Sequence, residues 1–278
     1  MDFSGKTIVV TGGTSGIGAA TALAFAEAGG RVLISGRNAK GAAKVMSDAK
    51  RLDGRIDFWA GDLNDRATCD RLIAEAVKRL GRIDVLVNNA GIGSRVGSLE
   101  TTDEIWRDVM TVNVDAVFYL SRAAGLLMKE RRSGSIVNNA SELGLIAEPG
   151  KFSYCVSKAA VVQITRCMAL DLAPFNVRVN GVAPGDTRTA MMDRKIRDKG
   201  LPIERGVELI ALRTPLKRVA TPLEVAKVIM FLASDDASFM TGAMVPVDGG
   251  TTVTGPPDTD LAKYAKRRRG RAASAATR

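Results

Sequence analysis

Residues 6–18 read KTIVVTGGTSGIG, and the fold of the chain is decided there. The β-branched run Ile8–Val10 reads as a short buried strand. From Gly16 the pattern turns to an Ala/Leu-rich helix reaching about Ala28, and between the two lie Gly12, Gly13, Gly16 and Gly18. A strand that passes through glycines into a helix brings backbone N–H groups and the helix N-terminus to one place, where they can meet a pyrophosphate. A Cβ at the turn would block that approach. The spacing of Gly12, Gly16 and Gly18 is wider at its first gap than GxGxxG, so a tight strand-to-helix turn with no ligand stands beside the phosphate reading.

Outward from this unit the same alternation repeats. RVLIS (31–35) is followed by a helix over about 38–52, RIDFWAGD (55–62) by one over about 65–80, and RIDVLVNN (82–89) by one over about 102–130. GSIVNNAS (134–141) leads into a helix over about 151–173, and NVRVNGVAP (176–184) makes a sixth strand. Residues 186–220 break the rhythm with many charges. TPLEVAKVIMFLAS (221–234) then gives a capped helix with proline in its first turn, and AMVPVDGG (243–250) a seventh strand. Near-continuous apolar strands joined by helices predict an α/β fold: a Rossmann-like, doubly wound, parallel seven-stranded sheet with helices on both faces, in a single domain over residues 1–250. A substrate lid is expected over about 186–220, and residues 251–278 read as a basic, mobile tail with little to bury.

Composition removes several kinds of chemistry. The 278 residues include no histidine, which excludes His-based triads and His-ligated zinc, and the three cysteines, Cys69, Cys155 and Cys167, form no CxxC. No metal site is expected. The scattered thiols suggest a reducing compartment, and no apolar run is long enough for a signal-peptide core or a membrane span, so the expectation is a cytoplasmic protein without membrane partners. The net charge of +10 resembles a nucleic-acid signal, yet residues 251–278 hold seven Lys/Arg against Asp258 and Asp260, a net +5. KRRRGR (266–271) lacks interleaved aromatics, so nucleic-acid binding through the tail is only an alternative.

Without imidazole, proton transfer near neutral pH must use another group, and SYCVSK (153–158) offers one. Tyr154 and Lys158 are four apart and share a helix face. A cation beside a phenol favours phenolate, but moving a tyrosine from about 10 to about 7 takes roughly 4 kcal/mol, beyond the reach of one screened surface lysine. The spacing alone is equally that of an ordinary amphipathic helix. The second strand ends in VLISGRN with no carboxylate; Arg37 either accepts a ribose 2'-phosphate or is a solvated loop charge. Asp62, followed by Leu63, either accepts from an adenine amino group or caps a helix.

Six motifs stand in order along the chain: TGGTSGIG (11–18), NNAG (88–91), Asn113 in VNV, Ser141 thirteen residues before Tyr154, YCVSK (154–158) and PGDTRT (184–189). In these the chain, from about Lys6 to Gly250, resembles the short-chain dehydrogenases/reductases. The resemblance implies an NAD(P)-dependent oxidoreductase interconverting a secondary alcohol and a ketone. It implies that Ser141 polarises the substrate oxygen, Tyr154 is general acid and base, Lys158 holds the nicotinamide ribose and lowers the tyrosine pKa, and Asn113 supports a water chain. It assigns the cofactor to Gly12, Thr14, Ser15, Gly16, Ile17, Gly18, Arg37, Asp62, Leu63, Asn89, Ala90, Gly91, Tyr154, Lys158, Pro184, Gly185 and Thr187, with NADP(H) favoured over NAD(H) because of Arg37. Substrate is expected against Ser141, Leu143, Tyr154, Met191 and Met192. The subtype is open between a 3-oxoacyl-carrier reductase and a dehydrogenase of small, aromatic or sterol alcohols. Lys129, Arg131 and Arg132 either dock an acidic acyl carrier or are solvated charges at a helix end. The chain departs from the commoner serine pair, with Ala140 before Ser141 and Glu142 after it. A homotetramer or dimer is implied, through the helices at 102–130 and 150–173. A non-catalytic dinucleotide sensor or scaffold is the rival, which the intact Asn113, Ser141, Tyr154, Lys158 set disfavours.

Overall fold

The computed structural model describes residues 1–254; the tail expected beyond them lies outside the described residues. The strands are β1 (Thr7–Thr11), β2 (Arg31–Gly36), β3 (Arg55–Ala60), β4 (Val85–Asn88), β5 (Gly134–Asn139), β6 (Val177–Pro184) and β7 (Met244–Val247). They form one seven-stranded sheet in the order β3-β2-β1-β4-β5-β6-β7, with every adjacent pair parallel. The order reverses between β1 and β4, which is where an open parallel sheet leaves a crevice at its carboxyl edge.

The helices are α1 (Gly16–Glu27), α2 (Ala39–Asp48), α3 (Arg66–Leu80), α4 (Asp103–Met110), α5 (Ala116–Arg131), α6 (Phe152–Leu172), α7 (Ala190–Arg197), α8 (Ile203–Ala211) and α9 (Pro222–Ala233). Because side chains alternate along a strand, each strand feeds two cores. Ile8 and Val10 of β1 face Phe25 of α1, Val45 of α2 and Ile229 of α9 in one cluster. Val9 between them faces Leu72 of α3, Leu120 of α5 and Leu172 of α6 in the other. Both clusters are sealed, which accounts for strands with almost no polar alternation.

Boundaries follow local chemistry. Asn38, Asp65, Thr102, Thr189 and Thr221 each accept a backbone N–H in the first turn of the helix they precede. At α9, Thr221 and Glu224 cap one another reciprocally and Pro222 opens the helix. The helix expected over 38–52 stops at Asp48 and tightens into a 3-10 turn over Ala49–Arg51.

The largest departure from expectation lies in the helix read over 102–130. It is two helices, α4 and α5, joined by a π-helical turn at Thr111–Asp115. Asn113 sits in that turn, fully buried, and its amide bonds outside its own helix. The turn carries the side chain toward the loop at Ile92, and its sequence TVNVD, built of weak helix formers, lies between two stretches with a clear helical pattern.

Candidate active site

The loops that carry the expected site residues leave the carboxyl edge of the sheet, where the order reverses between β1 and β4. The first is the turn Gly12–Ser15. Gly12 has φ +63°, and a Cβ there would lie 3.0 Å from the Ala90 Cα. A Cβ on Gly18 would collide with the Gly12 carbonyl and the Asn89 amide. Ser15 precedes α1 without capping it, unlike the residues before α2, α3, α4, α7 and α9. The first N–H groups of α1 therefore have no side-chain acceptor, and the glycines leave bare backbone around them. This is a fit for a dinucleotide pyrophosphate. Thr14 is buried against Gly36 at the end of β2, and Ile17 packs into the core with its helix.

At the other end of the crevice the four expected catalytic residues converge. Ser141 follows β5 and opens a 3-10 turn over Glu142–Gly144, its Oγ accepting the Leu143 N–H at 3.2 Å. Gly144 lets that turn lie on the α6 backbone, since a Cβ would reach the Lys158 carbonyl at 2.7 Å. Tyr154, on the first turn of α6, lies close enough to the Ser141 side chain for that hydroxyl to act on its titration. Lys158, one turn on, is 5% exposed; its Nζ donates to the Asn139 carbonyl at 2.9 Å and lies 5.8 Å from the Tyr154 ring centroid. A Cβ on Gly91 would stand 3.3 Å from Asn113 Oδ1 and 3.5 Å from Lys158 Nζ, so Gly91, Asn113 and Lys158 share one small space.

Asn113 fixes the loop after β4. Its Oδ1 accepts the Ile92 N–H at 2.8 Å, and its Nδ2 donates to the Ile92 carbonyl at 2.9 Å and to Ser157 Oγ at 3.0 Å. The lysine was expected to lower the tyrosine pKa, but burial dominates both groups. It pushes the phenol above its ordinary value, opposed mainly by the Ser141 hydrogen bond, and it lowers the lysine to about 8.

The remaining expected residues divide by place. Arg37 Nη1 pairs with Asp62 Oδ2 at 3.2 Å, both well exposed, so the two residues read for ribose and adenine meet at one edge. The helix-cap reading of Asp62 gives way to Asp65, which caps α3. Leu63 is buried beneath them. Asn89 does more than line the cleft: its Nδ2 donates to the Thr11 and Gly12 carbonyls at 2.9 and 3.3 Å, its Oδ1 accepts from Asn139, and its N–H, like that of Ala90, reaches Thr11 Oγ1. Pro184 and Thr187 are buried at the end of β6, with Thr187 Oγ1 bonding the Gly185 carbonyl at 3.0 Å.

The segment expected as a lid holds two helices, α7 and α8, packed where Gly206 meets Ile196. Met192 is buried and Met191 is 57% exposed, so of the two methionines only Met192 is part of the packed interior. Leu143, under the Ser141 turn, is likewise buried. Beyond α8, Arg213 reaches Glu148 Oε1 at 3.3 Å, while Lys151 takes Glu148 Oε2 at 2.7 Å, tying the segment after α8 to the loop before Tyr154.

Of the basic trio at the end of α5, Lys129 stacks 4.4 Å from the Phe175 ring centroid, Arg131 donates to the Ile83 carbonyl and Arg132 to the Pro174 carbonyl. All three have intramolecular work to do.

Sequence reading missed a second set. Asn88 Nδ2 bonds Ser121 Oγ and Asn138 Oδ1, and Asn138 Nδ2 bonds Thr165 Oγ1, a buried chain from β4 through β5 to α6. The paired asparagines at both strand ends, NN at 88–89 and 138–139, were the available signal. Glu142 is the other omission, a carboxyl 9% exposed and pushed up to about 7, chiefly by burial and further by Asp186 and Asp248.

Comparison with known proteins agrees in extent. Residues 12–252 match the family model described as enoyl-(acyl carrier protein) reductase. The chain is 38% identical over 253 residues to a 3-oxoacyl-[acyl-carrier-protein] reductase of Thermotoga maritima, covering 91% of this chain and 100% of that one. It is 39% identical over 258 residues to a meso-2,3-butanediol dehydrogenase of Serratia marcescens, covering 91% and 97%. The crystal structure of levodione reductase superposes with a TM-score of 0.87 at 29% identity, covering 91% of this chain and 100% of the other.

Proposed function

The chain belongs to the short-chain dehydrogenase/reductase family, and from that premise we propose that it interconverts a secondary alcohol and a ketone with NADP(H), using Tyr154 as general acid and base. The observation that carries the reading is the convergence of Ser141, Tyr154, Lys158 and Asn113 on one end of a crevice whose other end is an uncapped, glycine-lined helix start.

The nicotinamide supplies hydride to the carbonyl carbon, or takes it back, when bound. The chain does the rest. The Ser141 hydroxyl donates to the substrate oxygen and withdraws charge as it develops, and the Tyr154 hydroxyl gives that oxygen its proton. In the ground state burial keeps Tyr154 protonated, the form a reduction starts from. Lys158 would hold ribose hydroxyls while its cation opposes charge on the phenolate. Asn113 holds the loop at Ile92 in place, lining the path by which a proton returns. The backbone N–H groups from Ser15 to Gly18 would hold the pyrophosphate, with Asn89 keeping the turn in shape.

Arg37 supports NADP(H): its guanidinium is exposed at the end of β2 with no carboxylate on that strand end to bind a ribose 2'-hydroxyl. Phe118 and Leu126 on α5 and Leu170 on α6 are exposed apolar side chains on the two helices expected to join subunits, in keeping with a dimer or tetramer. Three unpaired cysteines suit the cytoplasm, and among the described residues no helix is long and apolar enough to cross a membrane.

Tyr154→Phe is expected to lower ketone reduction by at least about a thousandfold while leaving NADPH binding within about twofold of the parent. Retained turnover would remove Tyr154 as proton donor. Arg37→Asp is expected to shift the NADPH/NADH ratio of kcat/KM toward NADH by about tenfold or more. An unchanged ratio would mean that Arg37 does not read the phosphate.

A further inference from the structure

β5 ends on two asparagines, and successive side chains on a strand take opposite faces. Asn138 turns to Thr165 on α6. Asn139 turns the other way, to Asn89, and the reaction described above gives its side chain no task. Its Nδ2 donates to Asn89 Oδ1 at 2.8 Å, and Asn89 Nδ2 in turn donates to the Thr11 and Gly12 carbonyls at 2.9 and 3.3 Å. In the other direction, the main-chain carbonyl of Asn139 accepts from Lys158 Nζ at 2.9 Å, the one protein hydrogen bond of that ammonium among the described residues. Three consecutive hydrogen bonds thus run from the Gly12 carbonyl to Lys158, and both sides of Asn139 carry one.

Each amide fixes the orientation of the next. Two carbonyls meet the side chain of Asn89, so its Nδ2 faces them and its Oδ1 faces Asn139, where only a donor will do. Asn139 therefore presents Nδ2, and its own Oδ1 is left sealed from solvent without a partner. A buried acceptor without a donor is a cost that an apolar side chain in this place would not carry. The bond to Asn89 is what the chain gains for it. The main chain at Asn139 is fixed as well, since the residue pairs with Val182 of β6 and the Ala140 N–H donates to the Val182 carbonyl at 2.9 Å.

Resting on the assignment of Lys158 and of the glycine turn above, we propose that Asn139 is a positioning residue that couples the two grips on the dinucleotide. It sets the Gly12 carbonyl through Asn89, where the pyrophosphate would lie, and Lys158 Nζ through its own carbonyl, where the nicotinamide ribose would lie. Without the amide, Asn89 Oδ1 has no donor, its side chain is free to turn, and the end of β5 loses its tie to the loop after β4. Cofactor affinity and turnover then fall together. Asn139 itself exchanges neither proton nor hydride.

The test titrates full-length protein with NADPH and with NADH, followed by nucleotide fluorescence, in the parent, Asn139→Ala, Asn139→Leu, Asn89→Ala and the double variant Asn89→Ala/Asn139→Ala. For the cofactor that the parent binds more tightly, Kd is expected to rise about tenfold in both Asn139 variants, although leucine nearly keeps the volume of asparagine. The double variant is expected to bind within about twofold of Asn89→Ala, because both changes cut the same link. At saturating cofactor, kcat on the best of ethyl acetoacetate, cyclohexanone and 2,3-butanedione is expected to fall about fivefold or more in both Asn139 variants and in Asn89→Ala, which reaches Lys158 through Asn139. A parent-like Kd in Asn139→Leu overturns the inference, as do effects that multiply in the double variant or a kcat unchanged throughout. Failure of both Asn139 variants to fold, by circular dichroism, also overturns it, since the side chain would then serve the fold alone. A parent that binds a cofactor but turns over none of the ketones defeats the reductase reading and leaves this inference to the binding data; a parent that binds neither cofactor defeats both.

Discussion

Single residues in this cleft are set by burial more than by their charged neighbours. Tyr154 and Lys158 were legible from their spacing and from Ser141 thirteen residues upstream, but the direction of their titration was not. It depends on how deeply the Ser141 turn and the loop at Gly91 cover them, and those come from two other stretches of chain. Glu142 was visible only as an oddity after Ser141, because its surroundings, Gly185, Asp186, Asp248 and Arg213, are far away in sequence. Its carboxyl has a pKa raised from 4.5 to about 7. Between those values the unfolded chain ionises while the folded one holds its proton, so stability falls as pH rises through that window and the penalty is complete above about 7. Glu142→Gln cannot ionise. Its stability advantage over the parent is expected to be about 2 kcal/mol greater at pH 8 than at pH 5, by urea denaturation of the ligand-free proteins. An advantage that does not grow with pH would mean that the group ionises as an exposed glutamate does.

Elements were legible where their pattern is repetitive. The seven strands and the cap at Thr221 came from runs of β-branched residues and from side-chain types whose local preference is strong. The turn that splits 102–130 was not read, because weak helix formers such as TVNVD do not by themselves mark a π turn and the partner of Asn113 there, Ile92, lies outside the helix. Residues 186–220 were legible as a break in rhythm; their division into α7 and α8 goes with tertiary contact at Gly206 and Ile196. Asn113→Ala removes three hydrogen bonds at once and leaves the Ile92 N–H and carbonyl without their partner. We expect a loss of about 3 kcal/mol in urea denaturation together with a fall in kcat, and Asn113→Asp, which keeps the acceptor, to lose less. A variant as stable and active as the parent would show that the π turn stands without this side chain.

At the scale of the whole molecule, the site exists because the sheet is parallel and its order reverses between β1 and β4. Gly12 and Asn89, 77 residues apart, are brought to one crevice by that reversal, with Asn89 Nδ2 bonded to the Gly12 carbonyl. Each strand was legible by itself, and the order in which they lie was not, because periodicity says nothing of which strands are neighbours. Parallel strands also end together. The turns carrying Gly12, Arg37, Asp62, Asn89, Ser141, Gly185 and Asp248 all leave the same edge of the sheet, whereas the turns entering the strands, such as Gly81–Arg82 before β4, leave the other. Gly81 is exposed, has φ +85° and has open space where a Cβ would stand. A Gly/Ser insert of about six residues after Gly81 is expected to leave kcat/KM within about twofold of the parent, and the same insert after Gly93 to abolish turnover. Equal damage at both positions would contradict this division of labour. One rim is thus free for a fluorophore, a surface tether or a fused domain, and an immobilised form anchored there would keep its cleft turned toward the solution.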